Sequence, residues 1–246
     1  MAAPAARTGR FDFPAALRGS TDHFSVYYDP ALAQTGVAAA DGVLAACEND
    51  YQGISMIFGG LSAGPFNVIL ASNPGGAYHY GCDATDLYCD VRASPPDPLF
   101  SEFLNVAEFV EVFSAVQGLG WDCGRANGEG LSRVLATSLY RDELGPFATA
   151  AAWLDSSSRP DFVDDNGTTD SDPVANGCAV LFLNYLASQL NFSWNQIVAA
   201  AAPTLGQTYS LLTARSDGFA QFSALLAAKF LPGQPSGLTA DNPFPI

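Results

Sequence analysis

Residues 105–136, NVAEFVEVFSAVQGLGWDCGRANGEGLSRVLA, decide the fold. With Leu104 just ahead of them, Val106, Phe109, Val110, Val112, Phe113 and Val116 cover nearly the whole circumference of a helix, so that helix must be buried on all sides. Within this apolar run lie Glu108 and Glu111, three residues apart and therefore on one helical face. A second helix begins near Asn127 and carries Glu129 in its first turn, with Arg133 one turn further on. Charged side chains are rarely buried without a partner, because the lost hydration must be replaced. Carboxylates converging in an apolar interior therefore require a cation, a proton or an arginine.

Working outward, His23–Asp29 (HFSVYYD) and Phe66–Ala71 (FNVILA) have the β-branched and aromatic content of strands. Between them, Val37, Val43, Leu44, Cys47, Tyr51, Ile54 and Ile57 recur at helical spacing, which predicts a long amphipathic helix from Ala31 to about Phe58, stopped by Gly59-Gly60. Asn73-Pro74-Gly75-Gly76 reads as a turn. The stretches GGAYHYGC and DLYCDVRA then form an edge hairpin, and residues 94–98 are a proline-rich link. Beyond the Glu129 helix come a short helix over Pro146–Leu154, an acidic loop over 155–172 and an apolar helix from Val174 to Leu190. A capping-box start at Ser193 and Gln196 and two further helices complete the chain. The expected organisation is α+β: a flexible tail over 1–20, an α/β lobe over 21–100, a helical lobe over 101–232 carrying the glutamate helices, and an irregular tail over 233–246.

Composition narrows the function. Charged residues are 14% of the chain and lopsided, 25 acidic against 10 basic, a net charge of −15. Such a surface is repelled by nucleic-acid phosphates and anionic lipid, which select basic patches. No apolar stretch reaches the roughly 20 residues that span a bilayer, so neither nucleic-acid binding nor membrane insertion is expected. The N-terminal stretch lacks an apolar signal core, which reads as a mature, truncated or cytosolic chain. Five cysteines, a single lysine (Lys229) and sequon patterns at Asn166 and Asn191 favour a secreted or extracytoplasmic protein. Cys82 and Cys89 bracket a short polar loop suited to a local disulfide, Cys123 and Cys178 are candidates for a second, and Cys47 reads as a buried thiol.

The central segment resembles the active-site region of gluzincin metallopeptidases, with H-E-x-x-H on one helix and a glutamate in an N-E-G-like motif on the next. Ala107-Glu108-Phe109-Val110-Glu111 stands in the place of H-E-x-x-H, and Asn127-Gly128-Glu129-Gly130-Leu131-Ser132 in that of the third zinc ligand. Seventeen residues separate Glu111 from Glu129, close to the spacing in the aminopeptidase branch. The strand–helix–strand–edge-strand order ahead of the motif is similar as well. Both histidines are replaced, by Ala107 and Glu111; Glu108 matches the general base and Glu129 the third ligand. The resemblance implies a metallopeptidase-like scaffold with a dismantled zinc site.

Three readings of Glu108, Glu111 and Glu129 follow. They form a structural network neutralised by Arg125 or Arg133, a catalytic or substrate-binding cluster, or an oxygen-rich site that suits calcium or magnesium better than zinc. His79 lies between Tyr78 and Tyr80 on the expected cleft rim and is the one imidazole placed to serve a metal or a proton transfer. Tyr78, Tyr80, Tyr88 and Trp121 line a groove for peptide or sugar, or pack the hairpin and loop. Tyr140 is core, rim or a phenol near the site. The acidic loop offers Asp161, Asp164, Asp165, Asn166, Asp170 and Asp172 to calcium, without the EF-hand spacing. The expectation is a zinc-independent derivative of the scaffold, without a cofactor, binding a peptide-like or polymeric ligand between the lobes through Glu108, Glu111, Glu129, His79, Tyr78, Tyr80, Trp121 and Arg133. The alternative is a working hydrolase that uses the carboxylates without metal or with a non-zinc ion.

Overall fold

The computed structural model describes residues 10–73, 75–92, 97–141 and 143–246, and in it the two expected strands with one helix between them form a parallel pair. Strands β1 (Ala16–Ser20), β2 (Phe24–Tyr28), β3 (Phe66–Ala71), β4 (Ala77–Tyr78) and β5 (Asp86–Asp90) form one mixed sheet in the order β1-β2-β3-β5-β4. β2, β3 and β5 run parallel, with Val26 beside Val68 and Val68 beside Leu87; β1 and β4 are antiparallel edges. Helix α1 (Ala33–Ile57) is the crossover between β2 and β3, and its Val43, Cys47, Tyr51 and Ile54 are buried against the sheet.

Helix α2 (Pro98–Gln117) carries the Glu108/Glu111 face. It starts with proline in its first turn and ends at Gly118 in the left-handed conformation (φ 66°), whose N–H bonds to Ser114 O. Helix α3 (Ala126–Leu139) carries Glu129 in its first turn. The helical half continues with α4 (Ala150–Leu154) and α5 (Pro173–Asn184), which runs into a π-turn over Tyr185–Gln189. It closes with α6 (Trp194–Ala199), α7 (Leu205–Thr213) and α8 (Gly218–Ala227), the capping boxes at Ser193/Gln196 and Thr204/Gln207 opening α6 and α7. One cluster of buried apolar side chains runs from Phe24 to Phe244 through both halves, with α2 at its centre. No helix among the described residues is long and apolar enough to cross a membrane.

The N-terminal tail departs from expectation, and the C-terminal one is irregular as expected. Residues 1–9 lie outside the described residues, but 10–20 are anchored: β1 pairs with β2, and Phe11 packs on Tyr27, Ile69 and Tyr88. These side chains cover the sheet face opposite the helices, a face that the apolar residues of β3 already required to be buried. At the other end, 233–246 is irregular but docked. Asp241, 3% exposed, accepts from Thr149 N and Ala150 N at 2.8 and 2.7 Å and caps α4, while Phe244 packs on Tyr185. Of the proline-rich link, 94–96 lie outside the described residues, as does Pro74 of the expected turn, which is closed by Gly76 N donating to Asn73 O.

The acidic stretch is more than a solvated loop. Val163 is fully buried, and Arg159 is 6% exposed with its guanidinium donating to Leu154 O and Phe230 O. Asp161 folds the loop onto itself by accepting from Val163 N and Asp164 N. Among the described residues, no three of its carboxylates come within ligand distance of one another.

Candidate functional site

Because α2 lies under the sheet and α3 packs on α2, the two glutamate faces meet beneath strand β4. Gly76 permits the approach: at φ +98° it passes so close to Phe147 that a Cβ would lie 3.2 Å from that ring. Alternation along β4, carried one residue past its end, then sends Ala77 and His79 toward the helices. The His79 side chain is 3% exposed, and its Nδ1 is 2.7 Å from Glu108 Oε2. Its Nε2 lies 3.8 Å from Glu111 Oε2 and has no hydrogen-bond partner. Ser132 Oγ donates to Glu111 Oε1 at 3.1 Å. Arg133 Nε donates to Glu129 Oε1 at 2.6 Å, and its Nη1 to Phe147 O at 2.7 Å. A cavity of about 110 Å³ opens onto this cluster, lined by Gly75, Gly76, Ala77, Ala107, Glu108, Glu111, Glu129, Ser132 and Arg133, with Phe103, Leu104 and Phe147 as its apolar walls.

The charges are unevenly compensated. Arg133 is spent on Glu129, leaving Glu108 to His79 and Glu111 to a neutral hydroxyl. Burial lifts Glu108 above the ordinary carboxylate range, against the pull of the His79 hydrogen bond and charge. Burial lifts Glu111 much further, and the neighbouring carboxylates Glu108 and Glu129 add to the rise. The site thus holds protons or attracts a positively charged partner.

Of the eight expected residues, the structure gathers five: Glu108, Glu111, Glu129, Arg133 and His79. Tyr78 and Tyr80 are turned away. Alternation puts Tyr78 on the other sheet face, stacked on Tyr88 at 4.8 Å, and both phenols donate to Asp12. Trp121 is 5% exposed, and its indole N–H points to Val198 O; it borders a separate cavity shared with Asp122 and Arg125. Tyr140 donates to Asp50 on α1, away from the carboxylates. Arg125 lies 3.9 Å from Asp122 and neutralises none of the three glutamates. A larger cavity, about 980 Å³, lies on a different face of α3 and is lined by Val134, Thr137, Arg141, Asn184, Trp194 and Asp241 among others. Its carboxylate, Asp241, is committed to capping α4.

Two supports of the site carried no signal in the sequence. Ser132 reaches Glu111 across the helix pair. Asn166, from the acidic loop, accepts from Asn127 N at the start of α3 and donates to Asn127 Oδ1 and Pro203 O. It thereby satisfies an unpaired N–H of the first turn that Arg125, the N-cap residue, leaves open. The same bonds occupy the amide nitrogen of the Asn166 sequon.

The disulfide differs from both expected pairings: Cys82 is bonded to Cys123, and Cys89 and Cys178 are buried thiols, as is Cys47. Cys89 sits in β5 beside Leu87 in the interior register, so its sulfur faces the core while Cys82 lies in the half-exposed turn next to Asp122. Burial raises the thiols of Cys89 and Cys178 far above their usual range and pushes Cys47 up to about 11. The bond closes a loop with a sequence separation of 41 residues and ties the β4–β5 turn to the α2–α3 connection. Its reduction in metal-free buffer is expected to lower unfolding stability by about 2–4 kcal/mol, read as a lower denaturant midpoint.

Compared with known proteins, the chain matches no family model, no curated protein and no solved structure.

Proposed function

We propose that this chain is an extracytoplasmic, zinc-independent derivative of a gluzincin-type scaffold that binds a peptide-like ligand through a positively charged group. The observation that carries the reading is the convergence of Glu108, Glu111 and Glu129 on one cavity of about 110 Å³ whose fixed cation, Arg133, is already committed to Glu129. That volume accommodates an ammonium or guanidinium head, not a whole residue chain. Strand β4 borders the cavity and ends the sheet order, so its outer edge has no strand neighbour among the described residues. A ligand strand adding there by backbone hydrogen bonds places its terminal amine or basic side chain over the carboxylates. The half-buried disulfide accords with an oxidising compartment.

Calorimetric titration of short peptides, free or acetylated at the amino terminus and with or without lysine, tests this. A cationic peptide is expected to bind at least about tenfold tighter than its neutral counterpart, since hydrogen bonds between charged groups contribute about 1.5–3 kcal/mol. Glu111→Gln should remove most of that difference. Equal affinity for cationic and neutral peptides, or no binding to either, would sink the proposal.

A second reading, a metal-free hydrolase, draws support from the His79–Glu108 contact, which pairs a carboxylate with an imidazole as acid–base chemistry requires. The two readings separate at Glu108→Gln. A binding protein keeps its peptide affinity within a few-fold, whereas a hydrolase loses turnover while remaining folded.

A further inference from the structure

The disulfide is not remote from the carboxylate cavity. One ligand atom each from His79, Glu111 and Cys123 lies within 4.8 Å of the other two, and Cys123 is the residue bonded to Cys82. We propose that the Cys82–Cys123 disulfide masks a transition-metal site, and that reduction unmasks His79 Nε2, Glu111 and Cys123 Sγ as three ligands for a zinc-like divalent cation. This site goes beyond the peptide-binding proposal, which concerns the oxidised protein without metal, and in the reduced protein it would compete with a cationic ligand for Glu111.

Three observations point the same way. First, His79 Nδ1 faces Glu108 Oε2 at 2.7 Å. With the carboxylate as acceptor, the ring proton is held on Nδ1 and Nε2 presents its lone pair, the arrangement that orients metal-binding imidazoles. Second, that Nε2 is buried without any hydrogen-bond partner, a cost that a metal ion removes. Third, the donors are nearly in place. Metal bonds of about 2.0–2.3 Å in a tetrahedron put ligand atoms roughly 3.3–3.8 Å apart, and Nε2 is already 3.8 Å from Glu111 Oε2. One nitrogen, one oxygen and one thiolate sulfur match the mixed preference of zinc and leave a fourth position open. In the disulfide, Cys123 Sγ is bonded to sulfur and cannot serve as a thiolate.

The redox step balances with a dithiol reductant. The reductant supplies two electrons and two protons, the Cys82–Cys123 bond breaks, two thiols form, and the reductant leaves as its own disulfide. On metal binding, the Cys123 thiol releases its proton to water and the thiolate takes the cation.

A competing arrangement uses the same sulfur: Cys82, Asp122 and Cys123 also lie within 4.8 Å of one another, nearer the surface. The test therefore centres on Cys82→Ser, which frees Cys123 without any reductant and removes that second set. Cobalt(II) is titrated anaerobically into the oxidised protein, the dithiol-reduced and desalted protein, and Cys82→Ser, with circular dichroism reporting the fold of each. The oxidised protein is expected to give no sulfur-to-cobalt charge-transfer band. The reduced protein and Cys82→Ser should each bind one cobalt with that band and with the intense visible spectrum of a tetrahedral ion. Adding His79→Ala or Cys123→Ser to Cys82→Ser should abolish the band. Glu108→Gln, which disturbs only the partner of Nδ1, should weaken binding about 10–100-fold.

No band in either thiol form overturns the proposal, as does a band that survives His79→Ala. Equal binding by the oxidised protein overturns the masking. Should Cys82→Ser fail to fold, the reduced protein with and without His79→Ala decides the same question.

Discussion

Arg133→Met is expected to cost about 3 kcal/mol at pH 8, since breaking a buried ion pair strands its partner. For a chain of this size that is a fall of roughly 6–12 °C in melting temperature. Arg133 is the fixed cation among three carboxylates, bonded to Glu129 at 2.6 Å, and both side chains are about one-fifth exposed, so water screens the pair little. Methionine keeps the volume and removes the charge. The deficit should also depend on pH in a definite direction. Burial holds both Glu108 and Glu111 above their unfolded values, with repulsion from Glu129 acting on each and repulsion from Glu108 added on Glu111. A group whose folded pKa is raised contributes stability that is full below its unfolded value, about 4.3 for glutamate, and lost as pH climbs through the folded value. The native protein should therefore melt higher near pH 5 than near pH 8, and the variant should show the steeper dependence. A pH-independent deficit would mean that Arg133 acts through its hydrogen bond to Phe147 O rather than through the ion pair.

The second large effect is expected at Gly128, one residue before Glu129. A Cβ built there would lie 2.2 Å from Asp122 O, 2.3 Å from Asp122 C and 2.8 Å from Cys123 N, all of them backbone atoms. Neither segment can yield: Gly128 is in the first turn of α3, and the loop at Cys123 is pinned by the disulfide. Gly128→Ala should cost about 3 kcal/mol or more, the upper part of the range for overpacked sites, and should displace Cys123 from His79. Gly53→Ala is the control. It lies in α1 with nothing within 4 Å of the added methyl, so it should stabilise by about 0.5–1 kcal/mol, the helix-propensity difference alone. Denaturant midpoints of the two variants should move in opposite directions. If both are neutral, the close packing of the α2–α3 connection on α3 is wrong.

Much of the architecture was legible in local patterns because the forces that make elements are local. Apolar spacing in 37–57 placed α1, continuous apolar content placed α2 and the interior strand β3, and the Ser193/Gln196 pair placed the start of α6. The three-residue spacing of Glu108 and Glu111 placed them on one face, and the four-residue spacing of Glu129 and Arg133 produced the ion pair. His79 was legible only as an imidazole on an edge strand, without its partners.

What the sequence determined by itself is therefore a set of elements and a buried acidic face, fixed by periodicity and by the cost of placing charge in an apolar run. What the tertiary structure alone decided is who meets whom. It sent His79 inward and Tyr78 and Tyr80 outward, brought Ser132 to Glu111, and drew Asn166 from a distant loop to Asn127. It also bonded Cys82 to Cys123 rather than to Cys89 seven residues away. Those pairings depend on strand alternation, helix packing and loop closure across tens of residues, and no local pattern encodes the distance between two side chains that meet only after the core has formed.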